Sequence, residues 1–177
     1  MRLIRLGAVV AALVVASLFI APPGFADDDD DDNGNADIGC ALRIVRGNPT
    51  AWHGGTEGDD ECRGFMTPDK MLGYDGDDYL HALDGRDVVR GNRGEDLVRG
   101  GRKSDLVAGG MGDDRLVGGR GNDHLWGGIG HDDICLGPGR NIVHAEDHRQ
   151  DRIFGATPND RLFLDRGDRV LERPCPL

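Results

Sequence analysis

Residues 109–126 read "GGMGDDRLV GGRGNDHLW", two nine-residue units laid end to end. Each opens with two glycines, puts an aspartate sixth and a leucine eighth. The same period runs from Gly73 to His144 as "GYDGDDYLH", "ALDGRDVVR", "GNRGEDLVR", "GGRKSDLVA", "GGMGDDRLV", "GGRGNDHLW", "GGIGHDDIC" and "LGPGRNIVH". The eighth place is apolar throughout: Leu80, Val89, Val98, Val107, Leu116, Leu125, Ile134 and Val143. The sixth place holds Asp78, Asp87, Asp96, Asp105, Asp114, Asp123 and Asp132, then Asn141. The fourth place is glycine in every unit but one, which has Lys103. Low-complexity drift does not hold an aliphatic residue in phase over so long a stretch, so the pattern predicts a solenoid. A short strand over places seven to nine would turn its eighth side chain inward and its seventh and ninth outward.

Composition agrees that apolar burial alone does not hold this fold. The 177-residue chain has 29 glycines, five phenylalanines, two tyrosines and two tryptophans, and a net charge of −11. Many glycines raise the entropy lost on folding. Such acidity repels nucleic acid and anionic membranes and attracts cations.

The first 26 residues read as a secretory signal peptide: a basic start at Arg2 and Arg5, an apolar run from Leu6 to Ile20, and small Gly24 and Ala26 before a cut after Ala26. The run is short for a membrane span. The protein is therefore expected outside the cell, with no membrane insertion after cleavage. Residues 27–39 open with six aspartates and read as a disordered acidic arm. Asp29, Asp31, Asn33 and Gly34 imitate the start of an EF-hand loop, but Cys40 stands where its bidentate glutamate belongs. Residues 40–72 read as an irregular N-terminal cap in which "GTEGDDECR" (55–63) is a damaged copy of the nonamer, and 73–144 as the repeat roll. Residues 145–177 read as a C-terminal cap whose "DRIFG", "DRLFL" and "DRVLE" are degenerate final strands, out of phase by one residue.

Four cysteines in an exported chain suggest two disulfides. Pairing Cys40 with Cys62 and Cys135 with Cys175 ties each end of the repeat locally. No CxxC spacing supports zinc.

The nonamer resembles the G-G-x-G-x-D-x-U-x repeat of RTX (haemolysin-type) calcium-binding proteins, strongly over residues 73–144 and faintly over 55–72. The resemblance implies an all-β, right-handed parallel β-roll in which one coil takes two nonamers. Units 18 residues apart then stack, and several Ca²⁺ ions lie between stacked turns. On this chain the metal ligands would be Asp78, Asp96, Asp114 and Asp132 in one column and Asp87, Asp105 and Asp123, with Asn141, in the other. Turn carbonyls such as those of Gly91, Gly109 and Gly127 would complete the shell. The residues themselves suit this ion: glycine turns expose carbonyls, and carbonyls with carboxylates make a hard oxygen cage for a large, loosely coordinated cation. Arg86, Lys103 and Arg140 bring positive charge toward the second column, which is expected to bind more weakly.

Nothing reads as catalytic. Ser104 is the only serine beyond the leader and lies in a repeat turn; "HAEDH" at 144–148 is not the H-E-x-x-H of zinc hydrolases. The expected function is that of a non-enzymatic, secreted calcium-binding protein whose folding calcium drives. The alternative is a calcium-rigidified structural or adhesive module that meets a partner through an outer apolar stripe of Val88, Leu106, Trp126 and Ile142. Burial of Trp126 under the chain's own C-terminal cap competes with that alternative.

Overall fold

In this computed structural model, residues 40–44, 51–173 and 175 are described. The leader, its cleavage point, the acidic arm and the EF-hand-like stretch lie outside the described residues.

Where the nonamer repeats, the strands are six residues long, not three: β6 (Val88–Arg93), β7 (Leu97–Arg102), β8 (Leu106–Met111), β9 (Arg115–Arg120) and β10 (His124–Ile129). Each runs from the seventh place of one unit to the third of the next. The ladder continues because the first three places of stacked units also pair, as Asn92 with Gly110 and Arg93 with Met111. A single left-handed residue at the second place lets the strand kink without ending. Tyr74, Leu83 and Asn92 adopt it at φ 91°, 81° and 93°, and later units use glycine there. A side chain in that region costs about 1 kcal/mol or more, which accounts for the double glycine from residue 100 onward.

The remaining strands extend the same stack. Upstream are β1 (Ala41–Ile44), β2 (Ala51–Gly54), β3 (Glu61–Arg63), β4 (Asp69–Asp75) and β5 (Tyr79–Asp84); downstream are β11 (Asp133–Cys135), β12 (Ile142–Ala145), β13 (Arg152–Phe154), β14 (Arg161–Leu164) and β15 (Arg169–Leu171). Residues 51–72, read from sequence as part of an irregular cap, thus supply β2, β3 and the start of β4: "GFMTPDKML" (64–72) keeps Asp69 sixth and Met71 eighth although Pro68 hides the period.

The strands alternate between two sheets, one ordered β1-β2-β4-β6-β8-β10-β12-β14 and the other β15-β13-β11-β9-β7-β5-β3. All pairs are parallel except β1 with β2. Paired residues lie 18 apart through the repeat, as Val88 with Leu106 and Leu97 with Arg115. The step becomes 19 from Asp133 to Arg152 and 17 from Arg152 to Arg169. One coil is therefore two nonamers, and the protein is an all-β parallel solenoid.

The core is one aliphatic side chain deep from each sheet. Met71, Leu80, Val89, Val98, Val107, Leu116, Leu125, Ile134 and Val143 are fully buried, and Ile153 continues the row. Both ends are tied by disulfides, Cys40–Cys62 with Cα atoms 5.4 Å apart and Cys135–Cys175 with Cα atoms 5.6 Å apart. Cys135, at an outward place, is nonetheless buried. The C-terminal segment that covers it also brings Arg173 within 5.5 Å of the Phe154 ring centroid.

That segment lies on β11 and β13, not over Trp126. Trp126 is 37% exposed and Leu106 42%. Trp126 stacks on His144 at 5.6 Å, and His144 on Phe163 at 4.5 Å, so β14 lengthens the outer aromatic row without covering it. Among the described residues no helix is long and apolar enough to cross a membrane.

Candidate metal centre

Each sixth-place aspartate follows directly from the turn into the next strand, which aims its carboxylate inside the coil. There it accepts the backbone N–H of the matching residue one coil earlier. In the first column Asp60 donates to Asp78 Oδ1, Asp78 to Asp96, Asp96 to Asp114 and Asp114 to Asp132, each at 2.9 Å. In the second column Asp69 donates to Asp87 at 2.8 Å, Asp87 to Asp105 at 3.0 Å, Asp105 to Asp123 at 3.1 Å and Asp123 to Asn141 at 3.0 Å. All seven aspartates named from the sequence stand on these ladders, in the two columns expected, and all are buried.

The other oxygen of each is different. Oδ2 of Asp78, Asp87, Asp96, Asp105, Asp114, Asp123 and Asp132 is buried and accepts no hydrogen bond. A buried anionic oxygen without a partner is costly, and such a group recovers by taking up a proton or a cation. Burial is the main cause that lifts these carboxyls. It carries Asp114 to about 8, Asp78 and Asp105 to about 7, and Asp87, Asp96 and Asp132 to about 6, against the lowering effect of the N–H each accepts. For Asp114 the like charges of Asp132, Asp96 and Asp113 add to the rise. Asp123 is also raised by burial, with no like charge among its causes.

Beside these oxygens the first glycine of each unit leaves a hollow. A Cβ on Gly73 would overlap Asp78 Oδ2 and stand 2.6 Å from the Gly91 carbonyl oxygen. On Gly109 it would overlap Asp114 Oδ2 and stand 2.7 Å from that of Gly127. On Gly100 it would meet Asp105 Oδ2 and the Gly118 oxygen, both at 2.8 Å. Thus a carboxylate oxygen from one coil and a carbonyl oxygen from the next face the same hollow. The carbonyl oxygens of Gly91 and Gly127 lie at these hollows; at the Gly91 hollow the three nearest atoms all belong to Asp96, and the Gly109 carbonyl is not among them. An all-oxygen donor set of this kind fits Ca²⁺ rather than a transition metal. Among the described residues no three His, Cys, Asp or Glu side chains gather into a cluster. One carboxylate per coil in each column, at the roughly 4.8 Å spacing of strands, leaves the remaining ligands to the backbone.

Three units lack the hollow's glycine. Ala82, Leu136 and Ala145 stand at the first place and are buried, so each puts a side chain where the other coils have none. The Asp87 turn is set apart in this way.

The ladders run further than the sequence reading carried them. Asp132 donates to Asp151 Oδ1 at 2.8 Å, Asp151 to Asp168 at 3.1 Å, and Asn141 to Asp160 at 2.7 Å. Asp151 keeps a buried, unpartnered Oδ2 and rises to about 7, burial again the main cause. The outermost members are treated otherwise. Asp60 Oδ2 accepts the Thr56 N–H at 2.5 Å, Asp69 Oδ2 the Phe65 N–H at 2.6 Å, Asp160 Oδ2 the Thr157 N–H at 2.7 Å, and Asp168 Oδ2 the Asp165 N–H at 2.8 Å. Asp69 Oδ1 also faces Nε2 of buried His53 at 3.4 Å. At the ends of the ladders Oδ2 meets an N–H of its own turn; in the interior Oδ2 is left open. The signal for the downstream members was present: in "DRI", "DRL" and "DRV" an aspartate stands two residues before an apolar one, as sixth stands before eighth. His53 carried no such signal, because its unit has Ala51 where the aspartate would stand and a histidine at the apolar eighth place.

Lys103 stands in the turn before Asp105, but its charge goes to the preceding coil of the same column. It takes the left-handed conformation of a fourth-place glycine, φ 73°, but Nζ lies 2.7 Å from Asp84 Oδ1. Its Coulombic effect falls on Asp87, which it lowers, and not on Asp105.

Compared with known families, residues 72–107 and again 108–143 match the RTX calcium-binding nonapeptide repeat (4 copies). No curated protein matches the chain. Residues 72–143 are thus an array of RTX repeats.

Proposed function

We propose that this chain is a secreted calcium-binding protein in which several Ca²⁺ ions sit between stacked turns and drive the repeat to fold. One observation carries the reading: Oδ2 of the interior carboxylates Asp78 through Asp132 is buried without a partner, whereas Oδ2 of the end carboxylates Asp60, Asp69, Asp160 and Asp168 accepts a neighbouring N–H. Asp78, Asp96, Asp105, Asp114, Asp123 and Asp132 would hold the ions, with main-chain carbonyls of adjacent coils; Asp87 would hold one less readily beside Ala82. Calcium supplies positive charge to a row of facing carboxylates that otherwise repel. Residues of this chain supply the rest: the N–H ladder fixes one oxygen of each carboxylate, and the glycine hollow keeps room beside the other. Binding free energy then becomes folding free energy. Export is supported by the leader-like residues 1–26, and absence of a nucleophile or metal-hydrolase pattern supports a non-catalytic role.

A calorimetric calcium titration with circular dichroism tests this. Binding is expected with constants on the order of 10⁻⁴ to 10⁻³ M, the range of extracellular modules, and strand signal should appear with the ion. No binding at millimolar calcium, or an identical spectrum and melting temperature in chelator, overturns the reading.

A second reading has its own observation. Val88, Leu106, Ala108 and Trp126 line an outer groove of about 310 Å³, and Trp126 is exposed. Calcium would then stiffen a surface for a partner. Aqueous quenchers reaching Trp126 in the folded protein, with protection on adding an extracellular matrix extract, would favour it.

A further inference from the structure

The turns of the solenoid form two edges, and the edges carry opposite charge. Turns that lead into Asp60, Asp78, Asp96 and Asp114 lie on one edge. Four consecutive coils bear acids there: Glu57 and Asp59, then Asp75 and Asp77, then Glu95, then Asp113. Turns that lead into Asp87, Asp105, Asp123 and Asn141 lie on the opposite edge. Four consecutive coils bear cations there, beginning one coil later: Arg86, then Arg102 and Lys103, then Arg120, then Arg140.

Few of these charges are neutralised within the chain. Each edge carries one charge of the other sign, and both are paired: Arg93, on the acidic edge, lies 3.4 Å from Asp75, and Asp84, on the basic edge and beside Arg102 in the β5–β7 ladder, pairs with Lys103. Among the described residues Arg86, Arg102, Arg120 and Arg140 have no ion-pair partner, and all four are exposed. Arg102 and Arg120 are direct neighbours across the β7–β9 ladder. Like charges so placed repel, and an anion between or above them relieves that. The acidic edge is held in line by the backbone: Asp59 Oδ1 accepts the Asp77 N–H at 2.7 Å, Asp77 the Glu95 N–H at 2.7 Å, and Asp113 the His131 N–H at 2.8 Å. Little further ordering is needed for it to meet a partner.

We propose that the basic edge of one copy docks the acidic edge of a second copy, side by side with their solenoid axes parallel. Both rows repeat once per coil, so their charges have the same pitch. A shift of one coil, about 4.8 Å along the axis, brings all four acid-bearing levels against all four cation-bearing levels. The contact is heterologous, and a sideways translation does not close on itself, so it propagates into open rows. It is narrow and charged, which makes it a weak contact that salt screens within a Debye length of about 10 Å at 0.1 M. The inference does not depend on which cation fills the interior column.

Sedimentation velocity on the full chain in millimolar calcium, with circular dichroism to confirm folding, tests it. The weight-average sedimentation coefficient should rise with protein concentration at 20 mM salt and lose that rise at 0.5 M. Two variants sharpen the test. Arg86→Glu, Arg102→Glu and Arg120→Glu together make the basic edge net acidic; Glu57→Lys, Asp75→Lys and Glu95→Lys together make the acidic edge net basic. Each alone should sediment as a monomer, and an equimolar mixture should regain association. A wild-type monomer at every salt and concentration overturns the proposal, as does a mixture that stays monomeric. So does association that survives both reversals, which would place the contact on the apolar outer face. Binding of heparin to the Arg102 edge without self-association would instead assign that edge to a polyanionic sugar.

Discussion

The backbone N–H of Asp96 donates to Oδ1 of Asp114 at 2.9 Å, while Oδ2 of the same carboxylate is buried with no partner. One side chain thus has two separable tasks, a structural bond and an open anionic site. Asn141 shows the separation already, since its amide oxygen accepts the Asp123 N–H at 3.0 Å. Asp114→Asn should therefore keep the ladder, melt within a few degrees of wild type in chelator, and lose calcium binding at its level. Asp114→Ala should lose both and be less stable in chelator by about 1–3 kcal/mol, the cost of an unsatisfied buried N–H. Melting curves with and without calcium separate the two. Identical calcium titrations for Asp114→Asn and wild type would show that carbonyls alone hold the ion.

The same open oxygens set a pH dependence. Asp114, Asp78 and Asp105 rise from the usual carboxyl value to about 8, 7 and 7 in the folded chain. The folded form binds protons that the unfolded form has released, so their contribution is full below about pH 4 and is lost as pH rises toward 8. Without calcium, the protein should become more stable as pH falls from 8 to about 5. Calcium binds the ionised form and competes with protons for it, so its affinity should fall as pH drops from 8 to about 5. Thermal melts in chelator at pH 5, 6.5 and 8 give the first sign and titrations give the second. A calcium-free protein that is most stable at pH 8 would contradict the assignment of these carboxyls as the open sites.

The disulfides close loops spanning 22 and 40 residues, Cys40–Cys62 and Cys135–Cys175. On the loop-entropy account each restricts the unfolded chain by about 3–4 kcal/mol. Replacing Cys135 and Cys175 with serine should lower stability by that order and shift the calcium midpoint upward, since more binding energy is then spent on ordering. Cys135 is buried against the C-terminal segment, so that segment should become sensitive to protease while the repeat stays protected. Limited proteolysis with mass mapping reads this directly. Cleavage throughout residues 73–144 in the variant would mean that the tie holds the whole coil and not only its end.

How far the sequence carried is set by periodicity. The eighth-place row from Leu80 to Val143 was legible because burial on every coil demands an aliphatic residue in phase. The sixth-place aspartates were legible for the same reason. Asp69 was hidden by Pro68 and a missing fourth-place glycine, and Asp151, Asp160 and Asp168 by steps of 19 and 17 in place of 18. Strand length was misjudged because a glycine inside a parallel ladder carries no side-chain signal, although its backbone still pairs. The partner of Lys103 was invisible, since Asp84 comes near only through stacking of the coils.

The first place of each unit gives the sharpest test of the site, because two coils depart from the rule in opposite experimental directions. Gly109 leaves a hollow in which a Cβ would overlap Asp114 Oδ2 and stand 2.7 Å from the Gly127 carbonyl oxygen. Gly109→Ala must push the carboxylate or the next coil aside, at the roughly 1–3 kcal/mol typical of overpacking. It should also reduce affinity at that level by tenfold or more, because the displaced oxygens are the proposed ligands. Ala82 already fills the corresponding place before Asp87. Ala82→Gly should cost the calcium-free chain about 0.5–1 kcal/mol through backbone entropy. In calcium that loss should be reversed, with either one more bound equivalent or a lower midpoint. Calorimetric stoichiometry on the two variants, each beside wild type, decides the matter. Unchanged binding in Gly109→Ala together with no gain in Ala82→Gly would show that the ion lies outside these hollows, on the exposed side of the turns.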